Sequence, residues 1–164
     1  MKGRTLDQQI LSTWQVNVRI TLEMLKRIPA RGLSAVPLES RGRNVARVFA
    51  HMHNVRLAWL NYFDPTLIRG VPRFPKGSTP KHAELLKALR LSGKSVHSVL
   101  KDSLAGKRSV KFFKRNPVRW MGYLISHDSH HRGQIAIALK QSGKKLTQDV
   151  AIKVLWQEWY SGKD

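Results

Sequence analysis

The sequence contains no cysteine. It therefore carries no disulfide framework, cysteine zinc site, iron–sulfur cluster or thiol nucleophile of its own. Acidic residues are scarce: ten Asp and Glu stand against thirty Lys and Arg, a formal net charge of +20. Nowhere does an apolar run approach the ~18 residues of a membrane span. The opening MKGRTLDQQI also lacks the apolar centre of a signal peptide. The expectation is a soluble, cytoplasmic protein with no membrane partner. Hydrophobic residues make up 41% of the 164, enough to form a core and to exclude a disordered chain.

What is present is helical periodicity. Leu6, Ile10, Leu11, Trp14, Val18, Leu22 and Leu25 recur at spacings of three and four, which predicts a first helix opened by Thr5 or Asp7 and ended by Pro29. A second is predicted from about Arg43 to Phe63, where Asp64-Pro65 stops it. Thr79-Pro80 and Asn116-Pro117 read as a cap followed by proline at the first helical position. They open a third helix, running to about Leu104, and a fourth, running through Leu139 to a stop at Gly143. Thr147 caps a shorter fifth, with Val150, Val154, Leu155 and Trp159 on its apolar face. The fold expected is all-α: a four-helix bundle plus a short C-terminal helix, forming one domain over residues 1–164. The long loops, of about fourteen residues from Thr66 to Thr79 and about ten after Gly106, suggest at least one crossover connection rather than simple up-and-down hairpins.

Chemistry concentrates in the histidines. In ISHDSHHRGQ, His127 and His131 are four residues apart, about 40° around a helix and one turn displaced. Two imidazoles so placed can bind one ion from one face. His130 lies on the other side of His131 and could replace it, but would not easily join it. The missing ligand must come from a facing helix. There FAHMHNVRLAWL offers His51 and His53, about 200° apart, so that only one faces the core. His51 falls between Val48 and Val55 and is preferred. Isolated His82 and His97 read as structural. HDSHH also looks like a zincin helix with Asp128 in place of Glu, but Asp is a methylene shorter and the zincin sheet is missing, so a peptidase is disfavoured.

Imidazole ligation suits a divalent Zn or Ni ion, and three ligands leave coordination positions open, as in catalytic sites. Asp128 is a candidate to accept a ring N–H from a ligand. Gln134 could line the same pocket, and Arg132 is either an ion-pair partner or an anion clamp. Gly133 would let a neighbouring helix approach closely. Trp59, Tyr62, Trp120, Tyr123, Trp156 and Trp159 recur at helical spacing and read as core before pocket wall. The substrate class expected is a small electrophile. With no cysteine in the chain, any thiol must come from a low-molecular-weight cosubstrate.

Two segments carry a resemblance. GRNVARVFAHMHNVRLAWL (Gly42–Leu60) and HDSHHRGQIAIALKQSG (His127–Gly143) resemble the histidine-bearing helices of the DinB/YfiT-like family of metal-dependent helical-bundle enzymes. Trp14 with Asn17 and the closing LWQEW (Leu155–Trp159) extend the likeness over nearly the whole chain. The resemblance implies metal ligands at His51, His127 and His131. It further implies a four-helix bundle with a crossover, an extra C-terminal helix, a homodimer, and activity like that of thiol S-transferases or a thiol-dependent isomerase.

A rival reading comes from charge. Fourteen Lys and Arg lie between Arg69 and Arg119, opposed only by Glu84 and Asp102. KRSVKFFKR (Lys107–Arg115) interleaves two phenylalanines with base, as a surface stacking on nucleic acid would. The alternative is thus a basic nucleic-acid or polyanion-binding protein of the same fold. No motif for sequence-specific reading accompanies it.

Overall fold

A computed structural model describes residues 3–39 and 42–161. Four long helices, α1 (Leu6–Arg27), α2 (Val45–Phe63), α3 (His82–Leu104) and α4 (Pro117–Gln141), form an all-α bundle, with no strand among the described residues. Their caps explain their starts. Thr5 accepts from the Gln8 amide and Gln8 reaches back to the Thr5 amide (3.3 and 2.9 Å), a capping box that selects Thr5 over Asp7. Asn44 caps α2 through the Arg47 amide, and Asn116 caps α4 ahead of Pro117. The expected Thr79-Pro80 start of α3 is displaced. Lys81 holds the cap position in extended conformation, its N–H donated to the Glu84 carboxylate (2.6 Å), and the helix opens at His82.

The helices are not joined as hairpins. α1 and α2 each pack against both α3 and α4, so α1 and α2 are diagonal. His82 bonds the Leu25 carbonyl and Trp14 Nε1 donates to that of Gly93, so α1 and α3 run antiparallel. Arg56 meets Leu89 while Asp64 meets Arg108, so α2 and α3 run parallel. Parallel neighbours demand a connection that returns along the bundle, and residues 64–81 supply the predicted crossover. The Pro72–Phe74 stretch is clipped to α2. His53 Nε2 bonds the Pro72 carbonyl, and the Asn54 amide pairs reciprocally with the Phe74 backbone (2.8 and 3.1 Å).

The core divides in two. Met24, Phe49, Met52, Leu89, Ile135 and Leu139 belong to one apolar cluster; Trp14, Leu60, Phe63, Val99, Trp120 and Leu124 belong to the other. Between them lie the buried polar residues Asn17, Thr21, Arg56, Ser92, Asp128 and Arg132. Buried polar groups are tolerated only when bonded, and this layer is largely self-satisfied. Asp128 accepts from Arg56 (2.6 Å) and Asn17 (2.7 Å), and Arg132 donates to Asn17, Thr21 and Ser129.

The predicted fifth helix forms over residues 148–161, but with π-helical turns from Ile152 to Gln157. Val154 is buried and Val150 and Leu155 pack partly on the core. A π turn shifts the helical phase, so Trp159 leaves the predicted face and is 41% exposed. The segment is held to α1 by Arg19 and Glu158 (3.1 Å). Gly133 does not mediate a helix approach, since a side chain there would meet nothing within 4 Å. Gly93 does, where a Cβ would sit 3.0 Å from Val18.

Candidate metal centre

His51 of α2 and His127 and His131 of α4 converge, each offering one nitrogen, and the three nitrogens lie within 4.8 Å of one another. His127 Nε2 is 3.3 Å from His51 Nε2 and 3.1 Å from His131 Nε2. Four-coordinate zinc, with Zn–N of about 2.0–2.1 Å, sets its ligand nitrogens roughly 3.3–3.4 Å apart. The observed spacing fits that edge.

The outward nitrogens explain which ring atoms face inward. Gln134 turns its amide nitrogen to His130 Nε2 (2.9 Å) and so presents Oε1 to His131 Nδ1 at 2.8 Å. His131 therefore carries its proton on Nδ1, leaving the Nε2 lone pair inward. His127 Nδ1 and Asp128 Oδ1 are buried, have no other hydrogen-bond partner, and face each other at 3.8 Å. A proton on His127 Nδ1 is the one the carboxylate favours, which again turns a lone pair inward. Two lone pairs 3.1 Å apart repel unless a cation lies between them. The donor set fits a divalent ion on that ground.

Burial and nearby cations favour the neutral form of His51 and His131. His51 is lowered to about 4, first by burial and then by Arg43, His131 and His127. His131 is lowered mainly by burial, against the raising effect of its bond to Gln134. For Asp128 burial alone would raise the carboxyl, but Arg56, the facing His127 ring and Asn17 outweigh it and hold it at about 2. An ionised carboxylate therefore stands behind His127 throughout the physiological range.

Of the two α2 histidines, His51 is the one that meets the α4 pair, and core phase is not the reason. The core stripe of α2 runs through Phe49, Met52, Arg56 and Leu60, and His53 is the fully buried histidine. His51 sits at the half-buried rim, where it meets α4 and still borders a cleft. Arg132 is a network residue, its guanidinium nitrogens engaged by Asn17, Thr21 and Ser129. Gln134 orients a histidine rather than simply lining a pocket. His130 is exposed and outside the cluster.

Arg56 was missed by sequence reasoning. It is fully buried, paired with Asp128 and stacked 5.1 Å over Trp14. A signal existed: Arg56 follows Phe49 by seven residues and precedes Leu60 by four, on the core register of α2.

The aromatics are only partly core. Trp120 is fully buried, whereas Tyr62, Tyr123, Trp156 and Trp159 are exposed. Tyr123 stacks on His127 (6.1 Å), and Trp59 contacts Tyr123, Phe112 and Phe113. The Lys107–Arg115 phenylalanines thus face neighbouring rings of this chain. They sit at a turn where Phe113, Lys114 and Arg115 all have positive φ (52–58°), a strained conformation for side chains with a Cβ.

An all-α bundle with a crossover between the parallel neighbours α2 and α3, and a three-histidine cluster able to hold a metal ion, defines the class. A sequence model of the DinB family matches residues 1–161, and the chain belongs to that family. No curated protein and no solved structure matches it. No helix among the described residues is long and apolar enough to cross a membrane.

Proposed function

We propose that the chain is a divalent-metal-dependent enzyme that joins a low-molecular-weight thiol to a small electrophilic substrate, with His51, His127 and His131 as ligands of zinc or nickel. The observation that carries this reading is the convergence of three Nε2 atoms with the His127 and His131 lone pairs turned inward. When bound, the ion supplies Lewis acidity that lowers the pKa of a thiol or water ligand. The chain's own residues do the rest. Gln134 fixes the His131 tautomer, Asp128 faces His127, and the half-buried rim position of His51 leaves one side of the cluster open to the cleft. In the transfer, the thiol proton is lost to solvent and sulfur bonds the electrophilic carbon, whose leaving group departs with the bonding pair. The thiol is supplied from outside because the chain has none. A cytoplasmic location, where such thiols stay reduced, and a homodimeric state complete the proposal.

Elemental analysis after loading with zinc or nickel tests it. The expected result is one ion per chain. In His127→Ala the affinity should fall by more than the roughly 10–100-fold that outer partners typically contribute. Wild-type protein that takes up no stoichiometric ion refutes the reading.

A further inference from the structure

Beside the histidine cluster, α2 and the clipped crossover enclose a cleft of about 930 Å³, a size ordinary for small-molecule sites. His51 forms part of its wall. Four cations also border it: Arg43 just ahead of the α2 cap, Arg47 in the first turn of α2, and Arg73 and Lys76 from the crossover. No Asp or Glu among the described residues lines it.

This wall is built rather than loose. The reciprocal Asn54–Phe74 amide pair and the His53–Pro72 bond fix the crossover against α2, and the Phe74 ring packs edge-on to His53 (5.4 Å). A tight turn then closes with the Ser78 amide bonded to the Pro75 carbonyl. Gly77 at its third position has φ +84°, which requires glycine, and so Lys76 stands at the turn's tip. Arg43 also borders the smaller cavity on the α4 side with Gln134, placing it between the two cavities. A concave, cation-lined surface concentrates field and raises the local concentration of anions.

We propose that this cleft binds a small molecule bearing two or more negative charges, carboxylate or phosphate, and holds it alongside His51 as a substrate or cosubstrate of the histidine site. The anion-binding assignment stands on the cleft itself; its role as a reactant rests on the metal reading above. Paired guanidinium groups match oxyanions bidentately, and the neutral sides of Ala50, Val55 and Ala58 leave room for the uncharged part of the ligand.

Nuclear magnetic resonance titration of ¹⁵N-labelled, metal-loaded protein at low ionic strength tests this with three probes: succinate, glycerol 2-phosphate and acetate. The Asn54 side-chain amide and the Gly77 amide report from the cleft. Succinate or glycerol 2-phosphate should shift both, each binding more tightly than acetate, and the stronger of the two identifies the anion chemistry. In Arg73→Gln/Lys76→Gln, both substitutions being on exposed residues, the dianion Kd should rise about tenfold. Metal uptake should be unchanged. The control Lys111→Gln/Lys114→Gln removes the same charge outside the cleft and should leave the Kd nearly unaltered. Equal losses in the two double variants would show that net charge alone attracts the anion and would overturn the proposal. So would the absence of any preference over acetate, or shifts confined to residues outside the cleft. His131→Ala separates the two readings. Dianion binding that survives there, or in a wild type that holds no metal, supports the cleft even where the metal reading fails.

Discussion

Among the described residues Asp128 is the one buried carboxylate, and its removal should be the most damaging conservative-sized change in the protein. It is fully buried, as is Arg56, and the two are 2.6 Å apart. Arg132 lies in the same layer, so Asp128→Ala leaves two buried guanidinium groups with no anion between them. Breaking one side of a buried pair costs about 3–5 kcal/mol, mostly because the remaining charge stays desolvated. For a chain of this length each kcal/mol moves Tm by roughly 2–4 °C, so a fall of about 6–20 °C is expected. Asp128→Asn keeps the acceptor toward Asn17 and Arg56 and should cost less. Replacing both partners, in Arg56→Met/Asp128→Leu, should recover much of the loss, because no unpaired charge then remains. Urea denaturation of chelator-treated protein, with the m-value checked for constancy, measures all four chains. The reasoning is refuted if Asp128→Ala costs under about 1 kcal/mol, or if the double variant is no more stable than the single. Metal affinity gives a second readout. Asp128 faces His127 Nδ1, so Asp128→Asn should weaken metal binding by about 10–100-fold.

Acid should destabilise the metal-free protein before its carboxylates titrate. The imidazoles of His51, His53, His97 and His131 are all lowered from the ordinary value of 6.5, burial being the largest cause in each, and His51 reaches about 4. Between those values the unfolded chain binds more protons than the folded one, so stability is fully present above 6.5 and declines as pH falls toward 4. Urea midpoints at several pH values check this, and a midpoint that is flat or rises from pH 6.5 to pH 5 contradicts it. Packing gives another test. Gly32 is buried in the turn after α1, where a Cβ would lie 2.8 Å from Ile28 Cγ2 and 3.2 Å from Leu139 Cδ2. Gly32→Ala should therefore destabilise by about 1–3 kcal/mol through overpacking, and a thermal melt that shows no loss rules out that contact.

Much of this was legible in the sequence, and the parts that were not share a cause. Periodicity and caps located all four long helices, because a capping side chain and an apolar repeat are local signals. The crossover was inferred from loop length, yet its use as a cleft wall was not, since the Asn54–Phe74 and His53–Pro72 bonds join residues about twenty apart through backbone groups that every residue possesses. The π turns near Ile152 were equally silent. They leave no residue-type signature, and the predicted α-helical phase placed Trp159 on the wrong side.

The histidines show the same division more sharply. Phase within α4 paired His127 with His131 without reference to any partner, because both lie on one helix. Phase within α2 favoured His51 on the assumption that a ligand belongs to the core stripe. His53 has the stripe, and its ring is occupied by the Pro72 carbonyl. A reactive centre needs a ligand at the border between the polar layer and an opening, and borders are set by where neighbouring helices end. The +20 charge follows the same logic. Summed over the chain it suggested a polyanion, and the densest run, Lys107–Arg115, drew attention first. Once folded, the phenylalanines of that run contact Trp59, Tyr62 and Tyr123, while Arg43 and Arg47 are brought to Arg73 and Lys76 across the crossover. Charge that is dispersed along the sequence is focused beside His51. That focus favours a small anion over a long one.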